Sequence, residues 1–293
     1  MKRIALCLLC ILLLCGCSAV KTNENGKIKI VTTLFPEYDL ARAVAKDNAD
    51  ITELLPAGQD IHSFEPTLTD IANIKNCDVF IYIGGESDEW VEKILANMKS
   101  ADFAVIKMCD YVNLVTEDGE EDEYDEHIWT SPENLIKMLY ATTDVLSEKY
   151  PDKAEEFGIN RDEYEKKIRK ADDAIKSAVA LADKKFIAVG DRFPFKYFTE
   201  YYGLSYVAAF GGCEHDTDAD ILTVAKIINA VKENNLKAVY KIEMSSGAVA
   251  NTVSEKTGVP VKELHSLHNV TKEDFQKGVT VVDIMYRNAE ALR

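Results

Sequence analysis

The fold of this chain is decided by the stretch from Pro151 to Asp183, PDKAEEFGINRDEYEKKIRKADDAIKSAVALAD. It belongs to a longer region that begins at Pro132 and is dominated by leucine, alanine, lysine and glutamate. Proline is accepted in the first turn of a helix but interrupts its interior, so Pro151 predicts the start of a second, longer helix. We therefore expect one long helix near the middle of the chain, with a folded part on either side.

Short β-rich runs alternate with helical patterns on both sides of that helix. Such alternation predicts parallel βαβ units. The predicted fold is α/β, with two lobes that each contain a mainly parallel sheet flanked by helices, joined by one long helix. The predicted strands are Lys27–Leu34, Asp50–Leu55, Val79–Gly84 and Val105–Met108, then Phe186–Gly190, Ser205–Phe210, Ala238–Glu243 and Val261–Ser266. The predicted helices are Glu37–Lys46, Thr67–Asn76 and Glu89–Met98, then Phe195–Tyr202, Ala219–Asn234, Gly247–Thr257 and Thr280–Leu292.

The amino terminus has the pattern of a bacterial lipoprotein signal. Lys2 and Arg3 precede an apolar run of about 11 residues, which is shorter than the roughly 20 needed to span a bilayer. Leu14-Cys15-Gly16-Cys17 then supplies the small residues and the cysteine of a lipidation site. We expect cleavage before Cys17 and a lipid anchor on its thiol, although an ordinary cleaved signal with an incidental cysteine is the alternative.

The sequence thereby predicts five segments. They are a signal peptide at 1–16, a lipidated polar tether at 17–26, a first α/β lobe at 27–145, a linking helix at 146–184 and a second α/β lobe at 185–293. Cleavage removes two basic residues and no acid, which takes the net charge from −16 to −18. This balance argues against nucleic acid as a partner and is compatible with cationic cargo, as well as with a plain solvated acidic surface.

The cysteines of the expected mature body do not suggest a disulfide framework. Beyond the signal and Cys17 there are three, Cys77, Cys109 and Cys213, an odd number without paired spacing. Cys77 follows a predicted helix and is expected to be a small core residue. Cys213 is adjacent to Glu214 and His215, which makes it a candidate for other chemistry.

Three of the five histidines follow or end predicted strands. His62 follows the second strand of the first lobe, His127 follows its last strand, and His265 ends the last strand of the second lobe. Ligands of open α/β sheets bind beyond the carboxyl ends of the strands, and imidazole is the commonest protein ligand of zinc-type ions. The sequence therefore predicts a metal cleft between the lobes. Unrelated surface histidines are the alternative, because no compact ligand motif is present.

Several motifs resemble those of the zinc- and manganese-specific substrate-binding lipoproteins of bacterial ABC importers. Pro56 to Pro66 resembles the family pattern P-x-G-x-D-x-H-x-x-E-P, and His127-Ile128-Trp129 with Pro132 resembles H-x-W-x-x-P. Phe195-Lys196-Tyr197-Phe198 and Met285-Tyr286-Arg287-Asn288 also match family stretches. The resemblance covers nearly the whole mature chain. It implies two similar lobes on a rigid helix, and a monomeric receptor that delivers a metal ion to a membrane permease without catalysis.

The resemblance carries ligand roles onto this chain unevenly. It implies that His62 and His127 ligate the ion, and that His265 replaces the aspartate usual in the last-strand loop. The family's third ligand falls on Arg192, whose guanidinium cannot ligate a cation. Cys213 and His215 are the nearest replacements, with Glu243 and Asp191 behind them; Arg192 itself is expected to pair with Glu243 or to orient an acidic ligand. His268 is expected to face away.

The ligand types favour Zn²⁺. Three imidazoles with a thiolate or carboxylate form the tetrahedral set that zinc adopts, whereas Mn²⁺, the alternative cargo, prefers more carboxylate oxygens. The acidic loop at 117–126 either collects cations or is simply solvated. Two other classes of function remain open: a secreted zinc hydrolase, which lacks a recognisable general base or nucleophile motif, and a surface adhesin stabilised by metal. The expected location is the cell surface or periplasmic face.

Overall fold

The computed structural model describes residues 26–61, 64–98, 102–116, 124–212 and 220–293. The signal peptide, Cys17, His62, Cys213, His215 and most of the acidic loop lie outside the described residues. Within the described part, none of the helices combines the length and the apolar character needed to cross a membrane.

The first lobe contains a four-stranded parallel sheet. Its strands are β1 (Ile28–Thr32), β2 (Ala49–Glu53), β3 (Val79–Tyr82) and β4 (Ala104–Lys107), in the order β2-β1-β3-β4. Its helices are α1 (Phe35–Ala45), α2 (Leu68–Lys75) and α3 (Glu89–Asn97). All four residues of β3 are buried, as expected for a central parallel strand covered by helices on both faces.

The second lobe repeats this arrangement. Its strands are β5 (Phe186–Val189), β6 (Ser205–Ala208), β7 (Val239–Lys241) and β8 (Val261–Glu263), in the order β6-β5-β7-β8. Its helices are α6 (Lys196–Tyr202), α7 (Ile221–Glu233), α8 (Ala248–Thr257), α9 (Lys272–Gln276) and α10 (Val281–Ala291). The order of the second sheet is that of the first, strand for strand, so the predicted pair of similar parallel lobes is confirmed.

Two helices lie between the sheets, α4 (Pro132–Lys149) and the 28-residue α5 (Ala154–Leu181). A 3-10 turn at Pro151–Lys153 separates them, at the break that Pro151 predicts. One stripe of α5 is buried at intervals of three or four residues, the period of a helix face packed on a core. The stripe consists of Phe157, Asn160, Tyr164, Ile168, Ala171, Ile175 and Ala178.

The linking helix contacts both lobes. Near its start, the Asn160 amide donates to the Val44 carbonyl in the first lobe at 2.9 Å. Near its end, Asp172 accepts a hydrogen bond from the Tyr202 hydroxyl of the second lobe at 3.0 Å. The largest apolar cluster runs from the first lobe through this helix into the second, while the outer face of each sheet has a smaller cluster of its own.

A buried carboxylate joins three elements at the base of the two lobes. Asp39 on α1 is fully buried and pairs with Arg42 at 2.7 Å. It also accepts hydrogen bonds from the Tyr164 hydroxyl on α5 and, at 2.8 Å, from the backbone N–H of Val281 at the start of α10. Asp39 therefore ties the first lobe, the linking helix and the second lobe together at one point.

Loops at the carboxyl ends of the strands face one another across the boundary between the lobes. Pro56, Gln59 and Asp60, from the loop after β2, contact Asn269 and Arg192 of the second lobe. Because parallel sheets place their binding loops at these ends, this boundary is where a ligand site is expected.

Candidate metal centre

His127 is held in one orientation at the end of the loop between β4 and α4. Its side chain is fully buried, and its Nδ1 lies 2.9 Å from Oδ1 of Asp125. The same carboxylate oxygen accepts the His127 backbone N–H at 2.8 Å. A carboxylate can only accept, so Nδ1 carries the proton and Nε2 keeps its lone pair. This carboxylate–histidine arrangement is the one that orients metal-ligating histidines.

His268 is oriented in the same way in the loop between β8 and α9. Its Nδ1 lies 2.6 Å from the Ser266 hydroxyl, and that hydroxyl donates its own hydrogen to Oε1 of Glu243. The Ser266 oxygen therefore accepts from Nδ1–H of His268, which leaves Nε2 as the ring nitrogen with a lone pair. The Glu243–Ser266 pair does for His268 what Asp125 does for His127.

The two imidazoles lie side by side although they come from different lobes. Their ring centroids are 4.7 Å apart and the planes meet at 85°. Two imidazoles that bind one tetrahedral zinc at about 2.0–2.1 Å have centroids about 5 Å apart. Trp129 packs edge-on against both rings, and its indole N–H donates to the Ser266 carbonyl at 2.8 Å. Trp129 therefore lies at the interface between the lobes, whereas the expectation that His268 faces away is wrong.

His265 shares one neighbour with His268, because its Nδ1 lies 3.6 Å from Oε1 of Glu243, but its other contacts differ. Its Nδ1 accepts the backbone N–H of Leu267 at 3.0 Å, so the proton of the neutral ring sits on Nε2. Its backbone is held by Asn288, which exchanges two hydrogen bonds of 2.8 Å with it. The cavity that it lines is otherwise mainly apolar, with Trp129 and Phe198 among its walls. In this tautomer neither ring nitrogen of His265 offers a lone pair to an ion.

The cleft beside His268 is lined by both lobes. Gln59, Asp60 and Ile61 form one wall, and the other includes Arg192, Gly212 and Glu243. Arg192 Nη2 lies 2.5 Å from Oδ2 of Asp60, so its guanidinium makes an ion pair between the lobes. The sequence suggested Glu243 or an acidic ligand as its partner, and the ion pair in the structure is with a residue of the His62 motif itself.

The two acids that the sequence placed behind the site have defined contacts. Glu243 accepts the backbone N–H of Ser266 at 2.7 Å through Oε2 and the Ser266 hydroxyl through Oε1. Asp191 accepts the backbone N–H of Arg192 at 3.0 Å. Glu243 therefore acts on the site through Ser266 and His268.

Three buried carboxyl groups lie close to the His127 segment. Asp88 accepts the backbone N–H groups of Ile83 and Gly84, at 2.8 and 3.1 Å, and Glu37 accepts the Thr33 hydroxyl at 3.0 Å. Burial, and then the charge of Glu126, raise the pKa of Asp88 to about 7. Burial, and then Asp88, raise the pKa of Glu37 well above its ordinary value. This corner of the protein therefore carries less negative charge than its composition suggests.

Part of the predicted ligand set cannot be placed. His62, Cys213 and His215 lie outside the described residues, although their described neighbours Ile61 and Gly212 both line the cleft. Among residues 26–61, 64–98, 102–116, 124–212 and 220–293, no group of three histidines, cysteines or acids is arranged to hold a metal ion. The described part thus contributes a pair of oriented histidines, His127 and His268.

A sequence signal for His268 exists but is short. In both oriented histidines, a polar side chain two residues earlier contacts Nδ1: Asp125 for His127, and Ser266 for His268. Asp and Ser commonly bond backbone groups two residues on. The patterns D-x-H and S-x-H therefore separate these two histidines from His265, and His62, which follows Asp60, shares the first of them. The residue two before His265 is Glu263, which is at the end of β8.

The remaining body cysteines are buried and free. Cys77 is 7% exposed and its thiol donates to the Ile74 carbonyl, which confirms it as a small core residue. Burial raises the pKa of Cys77 and of Cys109 to about 12. Both thiols are therefore protonated and shielded near neutral pH.

The chain is similar to proteins whose names describe zinc binding or zinc uptake. The model of a family described as zinc-uptake complex component A, periplasmic, matches residues 30–293. The chain is 33% identical over 307 residues to the zinc-binding lipoprotein AdcA of Streptococcus pneumoniae, covering 100% of this chain and 61% of that protein. It is 29% identical over 301 residues to the high-affinity zinc uptake system protein ZnuA of Bacillus subtilis, covering 97% and 94%.

Solved structures agree with this comparison. The Zn(II)-bound ZnuA-like domain of Streptococcus pneumoniae AdcA superposes with a TM-score of 0.79 at 32% identity, over 91% of this chain and 98% of that one. The metal-dependent lipoprotein YcdH of Bacillus subtilis gives a TM-score of 0.80 at 30% identity, over 91% and 98%. The chain spans about three-fifths of the length of the full AdcA proteins that it matches.

Proposed function

We propose, because this chain belongs to the family of periplasmic zinc-uptake complex component A, that it is an extracytoplasmic receptor which binds Zn²⁺ between its lobes. It would pass the ion to the permease of an ABC importer and catalyse no reaction. The observation that supports this proposal is the pair His127 and His268, one from each lobe, whose ring centroids are 4.7 Å apart and whose Nδ1 atoms are each held by a side chain two residues earlier, so that Nε2 carries the lone pair.

The proposed ligand set has four members. His62 and His127 come from the first lobe and His268, rather than His265, from the second. The fourth is Cys213 or His215. Their loop follows β6, and β6 holds the place in the second sheet that β2, the strand before His62, holds in the first. Imidazole-rich sets with one thiolate or further imidazole favour zinc over manganese, which prefers oxygen ligands.

Metal analysis tests the proposal directly. The mature chain, purified without tags or chelators, is expected to contain about one zinc, and competitive titration should rank zinc above manganese. His127→Ala should weaken zinc binding by at least 10²-fold, since even residues that only orient a ligand contribute 10–100-fold. A mature chain that binds zinc no better than manganese, or a His127→Ala variant of unchanged affinity, would contradict the receptor proposal.

Alkylation tests the fourth ligand. At neutral pH the buried, protonated thiols of Cys77 and Cys109 should resist labelling, so Cys213 is the reactive thiol of the mature body. Zinc bound through its thiolate should protect Cys213 from iodoacetamide. Equal labelling with and without zinc would favour His215, and His215→Ala should then show the larger loss of affinity.

The location and partners follow from the amino terminus. We propose that the receptor is a monomer anchored to the membrane by lipid on Cys17. The family favours an ABC permease as its partner, and the negative net charge argues against nucleic acid. Labelling of cells with a radioactive fatty acid should mark the wild-type protein and leave Cys17→Ala unmarked. A Cys17→Ala protein that stays in the membrane fraction would contradict the lipid anchor.

A further inference from the structure

The loop at residues 56–61, which leads into His62, is held by two side chains of the opposite lobe. Arg192 Nη2 donates to the Asp60 carboxylate at 2.5 Å. The side-chain amide of Asn269 donates to two carbonyls of the same loop, that of Pro56 at 2.9 Å and that of Gln59 at 3.0 Å. The loop is thus bound at both of its ends across the cleft.

Both holding residues are themselves fixed in position. Asn269 is fully buried, and its Oδ1 accepts the backbone N–H of Val270 at 2.7 Å, which directs its NH₂ group towards the loop. Arg192 is 7% exposed and begins the turn after β5, where its backbone N–H donates to Asp191. Asn269 also follows His268 directly in the sequence. The segment that bears His268 therefore contacts the loop that precedes His62.

We propose that Arg192 and Asn269 form an interlobe clamp on the 56–61 loop, and that this clamp sets the rate at which the cleft releases its ion. The inference rests on the proposed function, since the ion is the receptor's cargo. An always-charged guanidinium cannot ligate a cation, so Arg192 acts as a positioning residue through Asp60. Loss of contacts that hold a complex together acts mainly on its dissociation rate.

The charge of Arg192 makes it possible to distinguish loss of a clamp from loss of a metal ligand in the measured rates. Arg192 neutralises Asp60 at the edge of the cleft. Arg192→Met therefore removes a positive charge and leaves a negative one, which should keep the capture of Zn²⁺ as fast or make it faster. A clamp predicts that the whole loss of affinity appears as faster release. Loss of a ligand instead changes the coordination of the ion itself.

Stopped-flow kinetics tests the clamp. Zinc release to an excess of chelator is expected to be about tenfold faster in Arg192→Met and in Asn269→Ala, a change of about 1.4 kcal/mol by the tenfold conversion. Capture rates should not fall, and the visible spectrum of bound Co²⁺ should match that of the wild type. Asp60→Asn combined with Arg192→Met should release no faster than the faster single variant, because both remove the same contact.

Arg287→Met is the matched control. Arg287 also pairs with a carboxylate, that of Asp274, at 2.7 and 3.0 Å, but both residues belong to the second lobe. Its release rate should equal that of the wild type. Release from Arg192→Met at the wild-type rate, or a Co²⁺ spectrum changed by this substitution, would overturn the clamp.

The clamp can be tested even if the wild-type protein does not bind zinc. Should the wild type bind no zinc, amide exchange of the metal-free protein gives the answer. Arg192→Met and Asn269→Ala are expected to speed exchange in the 56–61 loop, where the Gln59 N–H donates to Pro56, and Arg287→Met should not. Unchanged exchange in both variants would refute the clamp independently of any metal.

Discussion

The three described histidines near the boundary between the lobes differ in which ring nitrogen carries the lone pair. In His127 and His268 the nitrogen nearer the backbone contacts a side chain two residues earlier, and the far nitrogen keeps its lone pair. In His265 the near nitrogen accepts a backbone N–H instead. Zinc binds the deprotonated nitrogen of a neutral imidazole, so the local hydrogen bond determines which histidines can ligate the ion.

This difference predicts opposite results for two histidines only three positions apart. His268→Ala should weaken zinc affinity by about 10²-fold or more, whereas His265→Ala should change it by less than about tenfold and mainly lower stability. Isothermal titration, with the thermal midpoint of each metal-free variant, checks both parts. Each substitution is the control for the other. Near-wild-type affinity in His268→Ala together with a large loss in His265→Ala would restore His265 as the ligand.

Sequence reasoning predicted His127, through its motif and its position after a strand, together with His265; His268 enters the proposed ligand set only through its contacts in three dimensions. Distance from a strand end does not specify where a side chain points, and Leu267, between the two histidines, has a positive φ of 72°. That turn is a three-dimensional feature with no glycine to signal it. The contact of Ser266 with Nδ1 of His268 is local, but its meaning depends on Glu243 from another strand end.

The strands and long helices were predictable because hydrophobic periodicity is a local property. Each predicted strand overlaps an observed one, from β1 at Ile28–Thr32 to β8 at Val261–Glu263, and the strands end earlier than predicted because their apolar runs continue into buried loops. The five-residue α9 was not predicted, since one turn is too short to show a period. Its start, capped by the Thr271 hydroxyl, is the signal that was available.

Close approach between a strand end and a helix explains one glycine. A Cβ on Gly190, just after β5, would lie 2.5 Å from the backbone N and Cα of Ala250 on α8. Gly190→Ala should therefore destabilise the protein by about 1–3 kcal/mol through overpacking. Gly158→Ala in α5, where a Cβ meets nothing within 4 Å, should instead stabilise by about 0.5–1 kcal/mol. Urea denaturation of both variants checks this, and equal effects would contradict the packing argument.

The turn between β3 and α3 should make stability depend on pH. The pKa of Asp88 rises from 3.8 to about 7 on burial beside Glu126 and Glu37, so folding favours its protonated form. Its stabilising contribution is complete below about pH 4 and is lost as the pH rises through about 7. At about 1.4 kcal/mol per pKa unit, this loss is on the order of 4 kcal/mol.

Asp88→Asn tests that pH dependence. An amide oxygen can still accept from Ile83 and Gly84 but does not ionise, so the variant should lose less stability than the wild type between pH 5 and 8. Unfolding by urea at several pH values measures this. Parallel curves for the two proteins would show that Asp88 does not titrate in this range. Some slope should remain in the variant, because Glu37 is also buried with a raised pKa.

At the scale of the molecule, the two lobes and the linking helix were predictable, but the contacts between lobes were not. The Arg192–Asp60 pair joins residues 132 positions apart, and Asn269 reaches Pro56 across 213. Such pairs depend on how two sheets are docked, which no periodicity encodes. The departure of Arg192 from the family's ligand pattern was visible in the sequence, and its partner became visible only in three dimensions.

The buried contacts of Asp39 connect the first lobe, the linking helix and the second lobe. We therefore expect a large loss of stability when this residue is replaced. Asp39→Ala leaves Arg42, the Tyr164 hydroxyl and the Val281 N–H without their shared acceptor, and should cost about 3–5 kcal/mol. Glu163→Ala is the control, because its ion pair with Lys46 joins the same part of the first lobe to α5 with both side chains about half exposed. Its cost should stay below about 1 kcal/mol. Equal midpoints in urea for the two variants would contradict a structural joint at Asp39.

The linking helix limits how far the two lobes can move relative to each other when an ion binds. A 28-residue helix buried along one stripe and bonded to both lobes does not pivot at one or two dihedrals, as a strand hinge does. We therefore expect loaded and empty molecules to keep nearly the same outline. If this chain is the receptor proposed above, its membrane partner would have to recognise the bound ion by the charge and local order of the surface at the cleft mouth. An empty receptor would then compete for that partner to the extent that this small surface resembles the loaded one.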